Sequence, residues 1–147
     1  MNIRRAAFGL AMLLATSCAG TVDGPPEIVV DRTACSHCGM LISEPLYAAA
    51  YQAGSGEKRV FDDLGCLRTA ARAHHGSLRV WVHDAASVAW IDGDEAVFVS
   101  SPAIRTPMGG GLLAYRHRED ADRAAAKHTG QVIRSLSILL HSSESGS

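Results

Sequence analysis

The sequence predicts an α+β fold made of two similar small ββα-type units. Three observations carry that prediction: alternating apolar segments of strand length, two stretches with helical spacing that each follow such segments, and a glycine after each helical stretch. The chain has 147 residues, of which 47% are hydrophobic and 20% are charged, which is enough for a real core. We expect the units to cover residues 30–94 and 95–141, followed by a disordered tail over 142–147.

Residues 1–17 have the anatomy of an export signal: Arg4 and Arg5 precede an apolar run, and small residues then lead to Cys18. The run is too short to cross a hydrocarbon core of about 30 Å. Its end resembles a bacterial lipobox, which predicts lipidation, including palmitate, at Cys18. The chain would then be held at the periplasmic or extracytoplasmic face of a membrane, with residues 18–29 as a tether. A soluble periplasmic protein and a buried N-terminal helix are the alternatives.

The first unit is predicted from an alternating segment, a Gly-Ser-Gly turn and a returning strand, followed by a helix that Asp62 or Asp63 caps. Gly76 ends this helix, and His74 and His75 would lie in its last turn, against the negative end of the helix dipole. The predicted strands cover residues 45–53, 58–61 and 78–82, and the helix covers residues 63–75.

The second unit is predicted to repeat this order, with Gly130 closing its helix as Gly76 closes the first. Histidines without partner spacing, including His83, are expected at the surface. The predicted strands cover residues 96–99, 112–116 and 131–133, and the helices cover residues 118–128 and 135–140.

The charge balance gives no reason to expect an anionic partner. The chain has 14 Lys and Arg against 15 Asp and Glu, a formal net charge of −1. Nucleic acid and anionic lipid surfaces attract proteins through a basic field, which is missing here. We therefore expect no nucleic-acid partner. Separately, we expect the protein to be a monomer.

Soft sulfur donors are the chemical signal of the sequence. Beyond Cys18 the chain has three cysteines, so at least one thiol of an exported protein cannot pair within the chain. Thiolate and thioether ligands favour Cu(I). The candidate ligands are Cys35, Cys38, Met40, Met108 and His37, with Cys66 as a possible additional thiol or a small buried residue.

Other interpretations of the same residues stay open at this point. Cys35 and Cys38 can form a disulfide or a redox pair, and the three thiols with His37 can make a Cys₃His zinc knuckle. Met108 can fill a core. Asp62 and Asp63 are explained by helix capping rather than by acid/base catalysis.

Three motifs in order resemble the family of NosL-type copper chaperones. They are Cys-Ser-His-Cys-Gly-Met over 35–40, Phe-Asp-Asp-Leu-Gly-Cys over 61–66 and Thr-Pro-Met-Gly over 106–109. The resemblance implies a lipoprotein of two ββα-type units that binds Cu(I) and supplies it to nitrous oxide reductase beside a membrane maturation complex. It singles out Cys38, Met40 and Met108 as ligands, with Cys35 as the leading cysteine.

The resemblance therefore implies a binding and delivery protein rather than an enzyme, with Cu(I) as its ligand and a client copper enzyme as its partner. The alternative class is an enzyme. It would be a thiol oxidoreductase that uses Cys35 and Cys38, or a lyase similar to organomercurial lyase in which Cys38 and Cys66 act beside Asp62.

Overall fold

The computed structural model describes residues 23–142, and these residues form an α+β fold, as predicted. The strands are β1 (Ala49–Ala53), β2 (Lys58–Phe61), β3 (Leu78–His83), β4 (Trp90–Asp92), β5 (Val97–Ser100), β6 (Leu112–Tyr115) and β7 (Gln131–Ile133). The helices are α1 (Leu64–Arg72), α2 (Arg118–His128) and α3 (Leu136–His141). The predicted signal, Cys18 and the last residues of the tail lie outside the described residues.

Two antiparallel sheets repeat one topology. The first has the strand order β2-β1-β3-β4 and the second has the order β6-β5-β7. In both sheets the first strand is central, its hairpin partner lies on one side, and the strand that follows the helix lies on the other. The two units predicted from the order of elements thus share their strand pairing as well. Strand β4, which pairs with the far side of β3, has no counterpart in the second sheet and was not predicted.

Strand β1 begins later than the alternating pattern predicts. Pro45–Tyr47 form one turn of 3₁₀-helix, closed by the Ala48 N–H, which donates to the Pro45 carbonyl at 3.0 Å. Proline has no N–H for a strand ladder and fits the first position of such a turn. The strand therefore starts only at Ala49.

The predicted end of the first helix is also too late. Ala73 is the C-cap of the helix. The His74 N–H donates to the Ala71 carbonyl at 3.1 Å and closes a tight final turn. The His74 ring packs against Tyr51, with 5.9 Å between ring centroids. His74 and His75 therefore lie beyond the helix, and their predicted place in its last turn is wrong.

The second long helix ends at His128, as predicted, but through a different residue. Thr129 takes the left-handed conformation with φ of 51°. Gly130 is required for close packing instead, since a Cβ there would lie 2.9 Å from the Ser100 carbonyl oxygen.

One apolar core joins the two sheets. Phe61 and Val82 of the first sheet and Phe98 and Leu112 of the second belong to a single buried cluster, together with Leu139 of α3. The sheets are also linked at Asp84, whose carboxylate accepts from the Arg116 N–H at 3.1 Å. The two units are thus packed together as one body.

His83 does not lie at the surface, so that prediction is wrong. Its side chain is 7% exposed at the end of β3, its Nδ1 lies 2.9 Å from the Ala48 carbonyl, and its ring stacks on Trp90. A histidine with one hydrogen bond and one aromatic neighbour is accommodated in a core as a neutral ring.

The described part of the predicted tether contacts the first sheet. Lys58 donates through Nζ to the Gly24 carbonyl at 2.8 Å, and Arg79 forms an ion pair with Asp23. Among residues 23–142, no helix combines the length and the apolar character that spanning a membrane requires.

Candidate metal centre

The Cys-x-x-Cys segment is a tight turn held by its own backbone. The Cys35 N–H donates to the Met40 carbonyl at 2.8 Å, and the Gly39 N–H donates to the Cys35 carbonyl at 2.9 Å. Gly39 has φ of +78°, a conformation that side chains other than glycine rarely adopt. The turn is docked on β2, where the Ser36 N–H donates to the Val60 carbonyl at 2.8 Å. Cys35 and Cys38 are thereby fixed beside the first sheet.

Cys66 comes from a different segment, the first turn of α1. Asp63 caps this helix, and its Oδ1 accepts from the Cys66 N–H at 2.9 Å. The capping role predicted for this aspartate is therefore confirmed. The cap sets where the helix starts and so places the Cys66 side chain towards the Cys-x-x-Cys turn.

The three thiols converge. The Sγ atoms of Cys35, Cys38 and Cys66 all lie within 4.8 Å of one another, and all three thiols are free. Cys35 and Cys66 are 3% and 5% exposed, whereas Cys38 is partly exposed. The two interpretations of Cys66 offered by the sequence therefore both apply, since Cys66 is buried and is also part of the thiol cluster. Cys38 is the member that a solute or another protein can reach.

Within residues 23–142, no His, Asp or Glu side chain joins this group of three thiols. His37, which belongs to the predicted ligand set, is exposed and lines a separate surface cavity of about 350 Å³ with Tyr51 and His74. The Cys₃His zinc knuckle therefore has its three sulfurs in place but not its histidine.

The electrostatics of the buried thiols differ. Burial raises the pKa of Cys35, but hydrogen bonds from backbone N–H groups, first that of Cys38 and then that of Asp62, outweigh it, so that its pKa lies below the ordinary value. Burial also raises the pKa of Cys66, and there the Cys35 thiolate raises it further. Of the two buried thiols, Cys35 therefore loses its proton more readily than an ordinary cysteine, and Cys66 less readily.

The segment with Met108 is tied to the same helix start. The second oxygen of Asp63, Oδ2, accepts from Thr106 Oγ1 at 2.9 Å, from the Met108 N–H at 3.1 Å and from the Gly110 N–H at 3.4 Å. One carboxylate thus joins the turn of Cys66 to the Thr-Pro-Met-Gly loop. The sequence analysis did not predict that Asp63 binds this loop. The only available signal was the motif that contains Thr106.

The side chains of both predicted thioether ligands are exposed. Met40 is 56% exposed and Met108 is 42% exposed, so Met108 does not fill a core. The Met40 backbone closes the Cys-x-x-Cys turn and the Met108 backbone binds the cap of the Cys66 helix. Each methionine therefore belongs to a segment that is hydrogen-bonded to a segment of the thiol cluster.

Asp62 is the other acidic residue of the second motif, and it is 2% exposed. Burial raises its pKa, and the neighbouring charge of Asp63 raises it further. Its Oδ1 has no hydrogen-bond partner within the part of the chain that the structure describes. The charged form of Asp62 is thus disfavoured by its burial. Asp63, in contrast, accepts four hydrogen bonds.

Comparison with known proteins agrees with this architecture. No curated protein matches the sequence. Among solved structures, the fold is similar to that of the copper chaperone NosL from Shewanella denitrificans, with a TM-score of 0.65 and 21% sequence identity over 76% of this chain and 93% of that one. The family model NosL matches residues 26–139. That match covers most of the sequence and all three motifs, and it confirms the resemblance noted in the sequence: this chain belongs to the NosL family.

Proposed function

We propose that this protein is a Cu(I) chaperone that holds the ion at the thiol cluster and passes it to another protein. The observation that carries the proposal is the convergence of the Cys35, Cys38 and Cys66 sulfurs from two separate segments. The similar structure from Shewanella denitrificans, which is named a copper chaperone, supports the choice of metal.

The donor set suits a soft ion. Thiolates select Cu(I), zinc or iron–sulfur clusters over the hard cations that carboxylates bind. Three thiolates around an ion at about 2.3 Å would stand roughly 4.0 Å apart, a spacing compatible with sulfurs within 4.8 Å of one another. The exposed thioethers of Met40 and Met108 favour copper over zinc, because thioethers are typical ligands of Cu(I).

Ligand exchange is the transfer mechanism that this arrangement supports. Cys38 and the two methionines carry the accessible sulfurs, while Cys35 and Cys66 are buried. An acceptor would bind the ion from the exposed side, displacing a thioether and then Cys38. No substrate bond is made or broken, so the function needs no catalytic base or nucleophile.

The family resemblance also supports a proposal for the client protein and for the location. We propose nitrous oxide reductase as the client, a membrane maturation complex as the partner, and a lipid at Cys18 as the anchor on the outer side of the membrane. Mass spectrometry of the exported protein tests the anchor. A diacylglyceryl mass on Cys18 supports it, and an unmodified chain contradicts it.

The oxidoreductase alternative is less well supported by the site. Cys35 and Cys38 lie in a turn between isolated bridge residues rather than at a helix start, where a redox-active Cys-x-x-Cys gains its low pKa. An insulin-reduction assay distinguishes the two functions, since a delivery protein is expected to be inactive in it.

Competition for Cu(I) with a chromogenic chelator tests the proposal. The reduced protein is expected to bind one equivalent, with affinity reduced at least tenfold in Cys38→Ser and in Cys66→Ser. Met40→Leu and Met108→Leu keep the apolar volume but remove the sulfur. Leu41→Ala is the matched control, since Leu41 is 51% exposed in the same turn. Unchanged affinity in both cysteine variants would contradict the proposal, and unchanged affinity in both methionine variants would remove its thioether part.

A further inference from the structure

The thiols of the candidate metal centre are close enough to react with one another as well as with an ion. The Sγ atoms of Cys35, Cys38 and Cys66 lie within 4.8 Å of one another. A disulfide requires two sulfurs at about 2.0 Å. An approach of less than about 3 Å, which side-chain rotation can supply, therefore separates any two of these thiols from a bonded pair.

The three thiols differ in their access to an oxidant. Cys35 and Cys66 are 3% and 5% exposed, whereas Cys38 is partly exposed. Thiol–disulfide exchange begins when a thiolate attacks a disulfide sulfur, so the attacking thiol must be reachable from solution. Cys38 is therefore the thiol at which an outside disulfide reacts first.

The position of Cys35 makes it the partner of Cys38. Both belong to one tight turn, in which the Gly39 N–H donates to the Cys35 carbonyl at 2.9 Å. Cys66 lies in the first turn of α1, where its N–H donates to Asp63 Oδ1 at 2.9 Å and the helix restricts its side-chain rotamers. A bond between Cys35 and Cys38 involves the turn alone, whereas a bond to Cys66 would have to join the turn to the helix.

We propose that the metal centre is regulated by oxidation: a disulfide between Cys35 and Cys38 blocks Cu(I) binding until a thiol reductant breaks it. Regulation of this kind rests on the proposed function for the identity of the ion. Metals are bound by thiolates, and neither sulfur of a disulfide can form one. Oxidation thus removes two of the three thiol ligands and leaves only that of Cys66.

The oxidant in this reaction is itself a disulfide, such as glutathione disulfide. The Cys38 thiolate attacks one of its sulfurs, forms a mixed disulfide and releases one glutathione thiolate. The Cys35 thiolate then attacks the Cys38 sulfur and releases the second glutathione. Two protein thiols lose two electrons and two protons in all, and one disulfide becomes two thiols. A thiol reductant that attacks the Cys38 sulfur reverses the sequence.

Thiol mapping of the copper-free protein tests the disulfide without any metal. The protein is equilibrated anaerobically with oxidised and reduced glutathione, the exchange is stopped with acid, and free thiols are alkylated in denaturant before digestion with trypsin. Cys35 and Cys38 share the tryptic peptide 33–58, whereas Cys66 lies in the peptide 60–68. We expect an unalkylated peptide 33–58 that lacks two hydrogens, together with alkylated Cys66. A cross-link between the two peptides, or full alkylation at every glutathione ratio, would overturn the proposal.

Two variants test the assignment of the pair. Cys38→Ser leaves two buried thiols, and we expect both to be alkylated at glutathione ratios that oxidise the wild type. Cys66→Ser lacks the third thiol and is expected to form the same disulfide within the peptide 33–58. Oxidation of Cys38→Ser at the wild-type ratio, or loss of the disulfide in Cys66→Ser, would overturn the pairing.

Competition for Cu(I) with a chromogenic chelator measures the consequence of oxidation. The oxidised protein is expected to bind Cu(I) at least about tenfold more weakly than the reduced protein, because it has lost two thiolate ligands. Equal affinity of the two forms would overturn the regulation. A reduced protein that forms the disulfide but does not bind Cu(I) would contradict the proposed function instead, so the two failures are distinguishable.

Discussion

At the scale of single residues, Asp63 connects the two segments on which the candidate centre depends. It is 1% exposed, and its two oxygens accept from Cys66, Thr106, Met108 and Gly110. The sequence predicted the cap because an aspartate directly before a helical pattern is a local signal. The other three bonds join residues more than 40 positions apart, and no local signal predicts such pairing.

Asp63→Asn tests this connection. The amide keeps one acceptor oxygen but places an N–H₂ against N–H and O–H donors, so buried donors lose their partner. We expect the free energy of unfolding to fall by about 2–4 kcal/mol, measured by urea denaturation. Asp122→Asn, an exposed helix residue paired with Arg118 at 3.4 Å, is the control and should cost less than about 0.5 kcal/mol. Equal losses in the two variants would contradict the role of Asp63.

His83 predicts a pH dependence of stability. Burial lowers its pKa below the ordinary value, and the hydrogen bond to the Ala48 carbonyl offsets this only in part. The unfolded chain therefore binds the proton more readily than the folded one. The stability contributed by the neutral ring is fully present above about pH 6.5 and is lost as the pH falls towards the folded-state pKa.

The variant His83→Phe is expected to unfold with a weaker dependence on pH between 7.5 and 5 than the wild type. Urea denaturation at several pH values measures the slope. His117→Phe, which replaces a histidine at an exposed position, is the matched control for the change from histidine to phenylalanine. A His83→Phe slope equal to that of the wild type would show that this ring does not titrate differently on unfolding.

At the scale of elements, the loop over 106–111 brings the second unit into close contact with the start of α1 in the first unit. Gly110 approaches Gly65 of α1 so closely that a Cβ at Gly110 would lie 3.2 Å from the Gly65 Cα. Gly111 has φ of +62°, and a Cβ there would meet the Ser101 carbonyl oxygen at 2.5 Å. Close backbone approach thus requires glycine at both positions.

Gly111→Ala is therefore expected to be strongly destabilising, by more than about 2 kcal/mol, because the left-handed conformation alone costs an alanine roughly 1–2 kcal/mol. The clash with Ser101 adds to this cost. Gly24→Ala provides a control, since nothing lies within 4 Å of a Cβ there. Urea denaturation compares the two, and a Gly111→Ala protein as stable as the wild type would show that the loop relaxes freely.

Elements with a strong local pattern were predicted well, and their ends were not. The helix over 118–128 and the strand over 131–133 agree with the structure residue for residue. Strand β4 was missed because Trp90–Asp92 is too short to show an alternation, and it exists only through its pairing with β3. The end of α1 was predicted too late, and His74, which lies beyond it, packs against Tyr51, a contact that no helix-stop signal encodes.

At the scale of the whole molecule, the two sheets share one core, so they are expected to unfold together. Phe98 is 0% exposed in the cluster that contains residues of both sheets. Phe98→Ala should cost about 3–5 kcal/mol and lower the stability of both sheets equally. Hydrogen exchange of β1 and β5 amides measures this. A loss confined to the second sheet would show that the units are independent.

The candidate site shows the same limit of sequence reasoning on a larger scale. Residue chemistry pointed to sulfur ligation, and the structure brings three of the predicted sulfurs together. The residues next to Cys66 in the sequence do not show whether it is a ligand or a packed core residue. Its position depends on how α1 lies against the Cys-x-x-Cys turn. The inclusion of His37 rested on its place between two cysteines, and in the tight turn its side chain faces another cavity.

The X-ray absorption spectrum of the Cu(I)-loaded protein, recorded for the wild type and for Cys66→Ser, tests the central claim most directly. It counts the sulfur and nitrogen or oxygen atoms bound to the ion. The account predicts a first shell of sulfur in the wild type and one sulfur fewer in the variant. A shell dominated by nitrogen or oxygen, or one that Cys66→Ser leaves unchanged, would contradict it.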